Sequence, residues 1–112
     1  MNTMKMQIQS PHFKASQALI DLVTEKVNTL EKIEHQIDRA DVTLHLEHKG
    51  KTMAQSCHIR LSVKGKDLFA KINADSFDEA VNLCVDAVKR RLRKRKTKKM
   101  KHAIKEIKYR TA

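Results

Sequence analysis

ADVTLHLEHKGKTMAQSCHIRLSVKGKDLFAKINA, residues 40–74, is apolar at every second position in three consecutive runs. Ala40, Val42, Leu44 and Leu46 form the first; Cys57, Ile59, Leu61 and Val63 the second; Leu68, Ala70, Ile72 and Ala74 the third. Successive side chains of a β-strand point to opposite faces, so a period of two sends one set to a core and the other to water. Between the runs stand Lys49-Gly50-Lys51 and Lys64-Gly65-Lys66, glycine-centred signals of hairpin loops. Both glycines of the chain are used in those turns. Three consecutive antiparallel strands are predicted.

Downstream, Ser76-Phe77-Asp78-Glu79 reads as a capping box, with Ser76 as cap and Glu79 at the third helical position. Phe77, Ala80, Val81, Cys84, Val85, Val88 and Leu92 then recur at helical spacing as one apolar stripe. Upstream, Met4-Lys5-Met6-Gln7-Ile8-Gln9 alternates as a half-buried strand that Ser10-Pro11 ends. Ser16 caps a helix to about Glu34, with Leu19, Ile20, Val23, Val27 and Leu30 on its inner side and Ile37 anchoring the turn after it. The order is β-α-β-β-β-α. An α+β fold, a mostly antiparallel four-stranded sheet with two helices packed on one face, buries every stripe at once. The first helix can serve as a crossover, which allows the first strand to pair parallel with a neighbour.

Beyond Val88 the composition changes. Residues 89–101 read KRRLRKRKTKKMK, ten Lys or Arg in thirteen positions with no acid. Residues 1–88 carry a net charge of −1 and residues 89–112 a net of +12. Continued at about 100° per residue, the apolar stripe would next reach Arg95, Lys96 and Lys99, which a core cannot receive unpaired. The helix therefore projects past the sheet or frays after Leu92. Lys89, Arg90 and Arg93 lie away from the stripe. Like charges one turn apart each cost a helix a few tenths of a kcal/mol; phosphates remove that repulsion and release counterions. An ordinary charge run is a solvated face, but this density and this one-sided split point to a polyanion. Base-edge readers are scarce: Thr97 is the sole small polar residue in the run. That favours recognition of phosphate and shape, as on folded RNA.

Other functions find little support. At 112 residues the chain has room for one domain. The N-terminus has no apolar run of signal-peptide length, and no stretch approaches the ~20 apolar residues of a membrane span. A cytoplasmic protein is expected, without a membrane partner. Cys57 and Cys84 fall on apolar-periodic positions and should be buried and reduced. The polar face of the sheet should carry Lys5, Gln7, Thr43, His45, Glu47, His58, Arg60, Ser62, Phe69 and Lys71. An RNA-recognition motif would place two or three aromatics there, and this face has only Phe69. His45 and His58 lie on adjacent strands, but two imidazoles without a carboxylate or thiolate seldom hold a metal, so surface residues are expected. No nucleophile–base pair, phosphate-cradling glycine loop or paired carboxylates emerge. Neither catalysis, cofactor, metal nor small-molecule substrate is expected.

The helix LIDLVTEKVNTLEKI followed by DRADVTLHLE, and then KGKDLFAKINADSFDEAVNLCVDAVKRRLRKRKTK, resemble the ribosome hibernation-promoting factors and ribosome-associated inhibitors of bacteria, also called sigma-54 modulation proteins. The resemblance covers about residues 4 to 102. It implies a fold similar to a double-stranded-RNA-binding domain. It also implies occupancy of the messenger and transfer RNA channel of the small ribosomal subunit in stationary phase or stress, with the second helix on 16S rRNA. By position, Lys89, Arg90, Arg91, Arg93, Lys94, Arg95, Lys96 and Lys98 would bind rRNA, with Lys64, Lys66 and Lys71 a second set from the strands. Many members begin this helix Met-Tyr-Ala-Ala-Ile-Asp; here Phe77-Asp78-Glu79-Ala80-Val81-Asn82 stands, so the tyrosine position is Asp78. Long forms add a dimerisation domain, so a short form is expected, monomeric off the ribosome. Residues 1–95 would be the ribosome-binding domain and 96–112 a basic extension, partly helical or disordered. The expected function is a ribosome-associated translation inhibitor. The alternative is a general RNA chaperone or compacting protein with no defined ribosomal site.

Overall fold

The alternating runs become one four-stranded sheet in the order β1-β2-β3-β4. The computed structural model describes residues 4–110, except the side chains of Lys49 and residues 97–110. The elements are β1 (Lys5–Gln9), α1 (Gln17–Asn28), a 3-10 turn (Thr29–Lys32), β2 (Ile37–Lys49), β3 (Thr52–Val63), β4 (Lys66–Ala74) and α2 (Phe77–Arg110). β1 pairs parallel with β2, as a helical crossover permits, and β2-β3-β4 form an antiparallel meander.

The ends of these elements follow from local chemistry. Ser16 Oγ accepts the Leu19 amide at 3.2 Å, and Ser76 Oγ accepts the Glu79 amide at 3.1 Å, so both predicted caps are formed. The first helix differs from expectation at its other end. Its α-helical part stops at Asn28, and the 3-10 turn carries the chain to Lys32. Thr29 Oγ1 donates back to the Lys26 carbonyl, a local bond that competes with the helical ladder. The tighter turn still delivers Leu30 to the core, fully buried.

Ile37 also differs. It is the first residue of β2 and not part of the turn before it. Ile37 and Ala40 are both buried although three positions apart. Opposite β3, the register slips between Ile37 and Arg39. The bulge inserts one residue and so keeps both side chains inward.

The two hairpins close differently. Gly50 has φ +60° in the turn between the paired Lys49 and Thr52, whereas Lys64 (φ 49°) and Gly65 (φ 77°) are both left-handed between Val63 and Lys66. Two successive positive φ values make a type I′ turn, which suits the twist of the strands but is uncomfortable for lysine.

α2 lies against β3 and β4, with α1 packed beside it. Val23, Val27, Val42, Leu44, Ile59, Leu61, Val81, Val85, Val88 and Leu92 are all essentially inaccessible and belong to one core. Each such side chain contributes about 1.5–3 kcal/mol. Packing, more than propensity, therefore holds the helix in place. Cys57 and Cys84 are buried free thiols, and Cys84 Sγ donates to the carbonyls of Cys57 at 3.4 Å and Ala70 at 3.5 Å. The adjoining Cys84 thiol, together with burial, holds Cys57 far above the ordinary thiol range, so it stays protonated. Phe13 stacks on Phe77 at 4.5 Å and ties the segment after β1 to the start of α2.

Two substitutions test this packing. Val88→Asp places a charge at a fully buried position and should lower stability by about 3 kcal/mol or more, read from the urea midpoint; an unchanged midpoint would show the helix register to be wrong. Lys64→Asn should raise stability by roughly 0.5–1 kcal/mol, because asparagine tolerates the left-handed region.

Candidate nucleic-acid interface

The apolar stripe of α2 ends at Leu92, 1% exposed. Around and beyond it, Arg90, Arg91, Arg93, Lys94 and Lys96 are exposed, and Lys89 and Arg95 are half-buried. The helix does not fray there. It runs on to Arg110, 34 residues in all, about 51 Å at 1.5 Å per residue, in a molecule whose longest dimension is 62 Å. The sheet anchors the helix by one side, and from Arg90 to Lys96 its exposed side chains are cationic.

Arg90, Arg91, Arg93 and Lys94 converge with Ala87 on a shallow cleft of about 420 Å³. Arg91 also donates through Nη1 to the Phe69 carbonyl of β4. That bond ties the helix to the edge strand of the sheet, where a backbone acceptor would otherwise lack a partner. Arg95 takes the next position of the stripe. Its Nη1 is buried with no hydrogen-bond partner among the described residues. Lys98 belongs to α2 by backbone, but its side chain lies outside the described residues.

The strand lysines divide. α2 passes Ala70 at Cys84 and Phe69 at Arg91, so it travels back along β4 toward the turn that holds Lys64 and Lys66. Both of those lysines are exposed. Lys71 is on the other side of the sheet, paired with Glu47 at 2.6 Å. The Glu47 pairing separates Lys71 from the basic helix, whereas Lys64 and Lys66 stand at the β3–β4 turn, the end of the sheet toward which the helix runs. The Lys71 hydrogen bond holds the Glu47 carboxyl below its usual range.

On that outer face, Arg39, Arg60, Gln7, His58 and Phe69 border a second depression of about 280 Å³. Arg39 is held by Asp41 at 2.8 Å and by Gln7. The β3–β4 register places Arg60 directly opposite Phe69, which is 46% exposed. Arg39 was absent from the sequence-based set. The alternation of Asp41 and Thr43, carried two residues back, would have placed it on this face. His45 and His58, expected at the surface, are half-buried. Burial, and then the neighbouring His45, push His58 below the ordinary imidazole range, so it is neutral at pH 7.

A sheet backed by two helices, one of them running out as a polycation, defines a small α+β domain suited to a polyanionic partner. Residues 6–100 match the family described as sigma 54 modulation protein / S30EA ribosomal protein, and the chain belongs to that family. Among solved structures, it is similar to a ribosomal subunit interface protein from Coxiella burnetii, with TM-score 0.74, 19% identity, and coverage of 84% of this chain and 99% of that one. It is also similar to the N-terminal domain of Protein Y from Thermus thermophilus, with TM-score 0.68, 18% identity, and coverage of 84% and 98%. At these identities the likeness is one of fold. No curated protein matches the chain. Among the described residues no helix is long and apolar enough to cross a membrane.

If six to eight phosphates are neutralised, the logarithm of the association constant for structured RNA should fall against log salt with a slope of about −4 to −7. Replacing Arg90, Arg93 and Lys94 together by Gln should flatten that slope by about two to three. Filter binding across a salt series measures both, and an unchanged slope would move the interface off α2.

Proposed function

We propose that this protein is a ribosome-associated translation inhibitor that seats α2 on 16S rRNA, in the messenger and transfer RNA channel of the small subunit. The observation that carries the reading is the helix itself. Val88 and Leu92 root it in the core, while Arg90, Arg91, Arg93 and Lys94 face outward around one cleft. Family membership adds to this, as does the fold shared with a protein described as a ribosomal subunit interface protein. In this reading residues 1–95 form the binding domain and residues 96–112 a basic extension, in the cytoplasm.

The mechanism is exclusion. A rigid cationic rod neutralises rRNA phosphates without needing base edges. While it occupies the channel, messenger and transfer RNA cannot. Lys64 and Lys66, at the end of the sheet toward which α2 runs, add cations beside the rod. The reading asks for no catalytic group and no cofactor. Its physiological sense is the silencing of idle ribosomes in stationary phase or stress.

Competition provides the test. Added protein should inhibit a purified translation system and protect 16S nucleotides of the decoding and P-site region from chemical probes. Initiator tRNA and messenger, raised together, should reverse the inhibition by mass action. Rescue by homopolymer RNA to the same extent, with protection scattered over both subunits, would overturn site-specific occupancy in favour of a general RNA-compacting protein.

A further inference from the structure

The outer face of the sheet carries a polar cluster that the basic helix does not use. His45 and Glu47 project from β2, and His58 from β3. One ligand atom from each of the three lies within 4.8 Å of the other two, and all three residues are half-buried. His45 Nε2 is 2.7 Å from His58 Nε2 and 3.6 Å from Glu47 Oε1. We propose that His45, Glu47 and His58 form a binding site for a borderline divalent cation, zinc above all.

The distances suit that ion. In a tetrahedral zinc site with bonds of about 2.0–2.1 Å, neighbouring ligand atoms stand about 3.3 Å apart. The His45–His58 and His45–Glu47 separations bracket this value, and the third, between His58 and Glu47, is no more than 4.8 Å. At 2.7 Å the facing nitrogens can hold only one proton between them, so a cation that takes its place gains both as ligands. Two imidazoles and a carboxylate favour zinc, copper or nickel over calcium or magnesium. Histidine alone would be a poor case; Glu47 supplies the carboxylate that a bare pair lacks.

The surroundings support a ligand. Asn73, Ser56 and His45 occupy one cross-strand row of the same face. Ser56 is fully buried, and neither its Oγ nor the Asn73 Oδ1 has a hydrogen-bond partner among the described residues. Three protein ligands leave one tetrahedral position for water, and a metal-bound water is a strong donor for such acceptors. His12, whose ring centroid is 6.0 Å from that of His45, flanks the site from the segment after β1. Lys71 is the resident competitor. Its ammonium pairs with Glu47 at 2.6 Å, and its flexible side chain is 41% exposed, free to swing aside.

Titration of the full-length protein with Zn²⁺ in a calorimeter, and with Co²⁺ by visible absorption, tests the site. One equivalent should bind, with the spectrum of a tetrahedral nitrogen–oxygen site. His45→Ala and His58→Ala should each weaken binding by about 100-fold or more, and Glu47→Gln by at least about tenfold. Lys71→Met should tighten it by roughly fivefold, by removing the competing ion pair, a gain that no misfolded variant could produce. His35→Ala, an exposed histidine elsewhere, should change nothing. Undiminished zinc binding by a His45→Ala/His58→Ala double variant, no binding at high micromolar metal, or a Lys71→Met protein no tighter than wild type would each overturn the proposal.

Discussion

Everything in this molecule depends on how α2 lies on the sheet. Ala80, Val81, Cys84, Val85, Val88 and Leu92 make one continuous apolar strip, fully buried against β3 and β4. A helix anchored along one stripe has no rotational freedom left. The cations from Lys89 to Lys96 are therefore directed by residues that are not themselves cationic. The same helix without its stripe would be a self-repelling polycation with little tendency to form. Hydrophobic burial at one end is what turns a charge run into a surface of defined direction.

The sheet separates two chemistries. Its inner face holds aliphatic residues and the thiol pair, with Cys84 bonded to backbone carbonyls of two strands. Its outer face holds histidines, acids, arginines and one exposed phenylalanine in close contact. His58 meets His45 edge-on at 4.3 Å and Phe69 at 5.8 Å between centroids. A side chain on one face cannot join the other without crossing the sheet. This is why Lys71, counted with the basic residues by composition, pairs with Glu47 on the face away from α2. Net charge is a property of the chain; which cations act together is a property of the pleat.

Much of this was legible in the residues. Strict alternation over residues 40–74, a capping box at Ser76 and a stripe ending at Leu92 determined three strands, a helix start and the point where burial stops, because periodicity and capping are local. The −1/+12 division of charge likewise needs no coordinates. Other features come from contacts distant in the chain. The bulge that brings Ile37 and Ala40 to the same side exists only against β3. The Arg91 bond to Phe69 spans 22 positions. So too with the outer face: His45 and His58 are 13 residues apart, and only the hairpin register sets them nitrogen to nitrogen beside Glu47. The sequence by itself determined the order of elements, the buried stripes and the cationic helix, since each is written in the spacing of near neighbours. Tertiary structure alone decided which polar side chains meet, because strand register and helix packing are set by the whole core and cannot be read from any single segment.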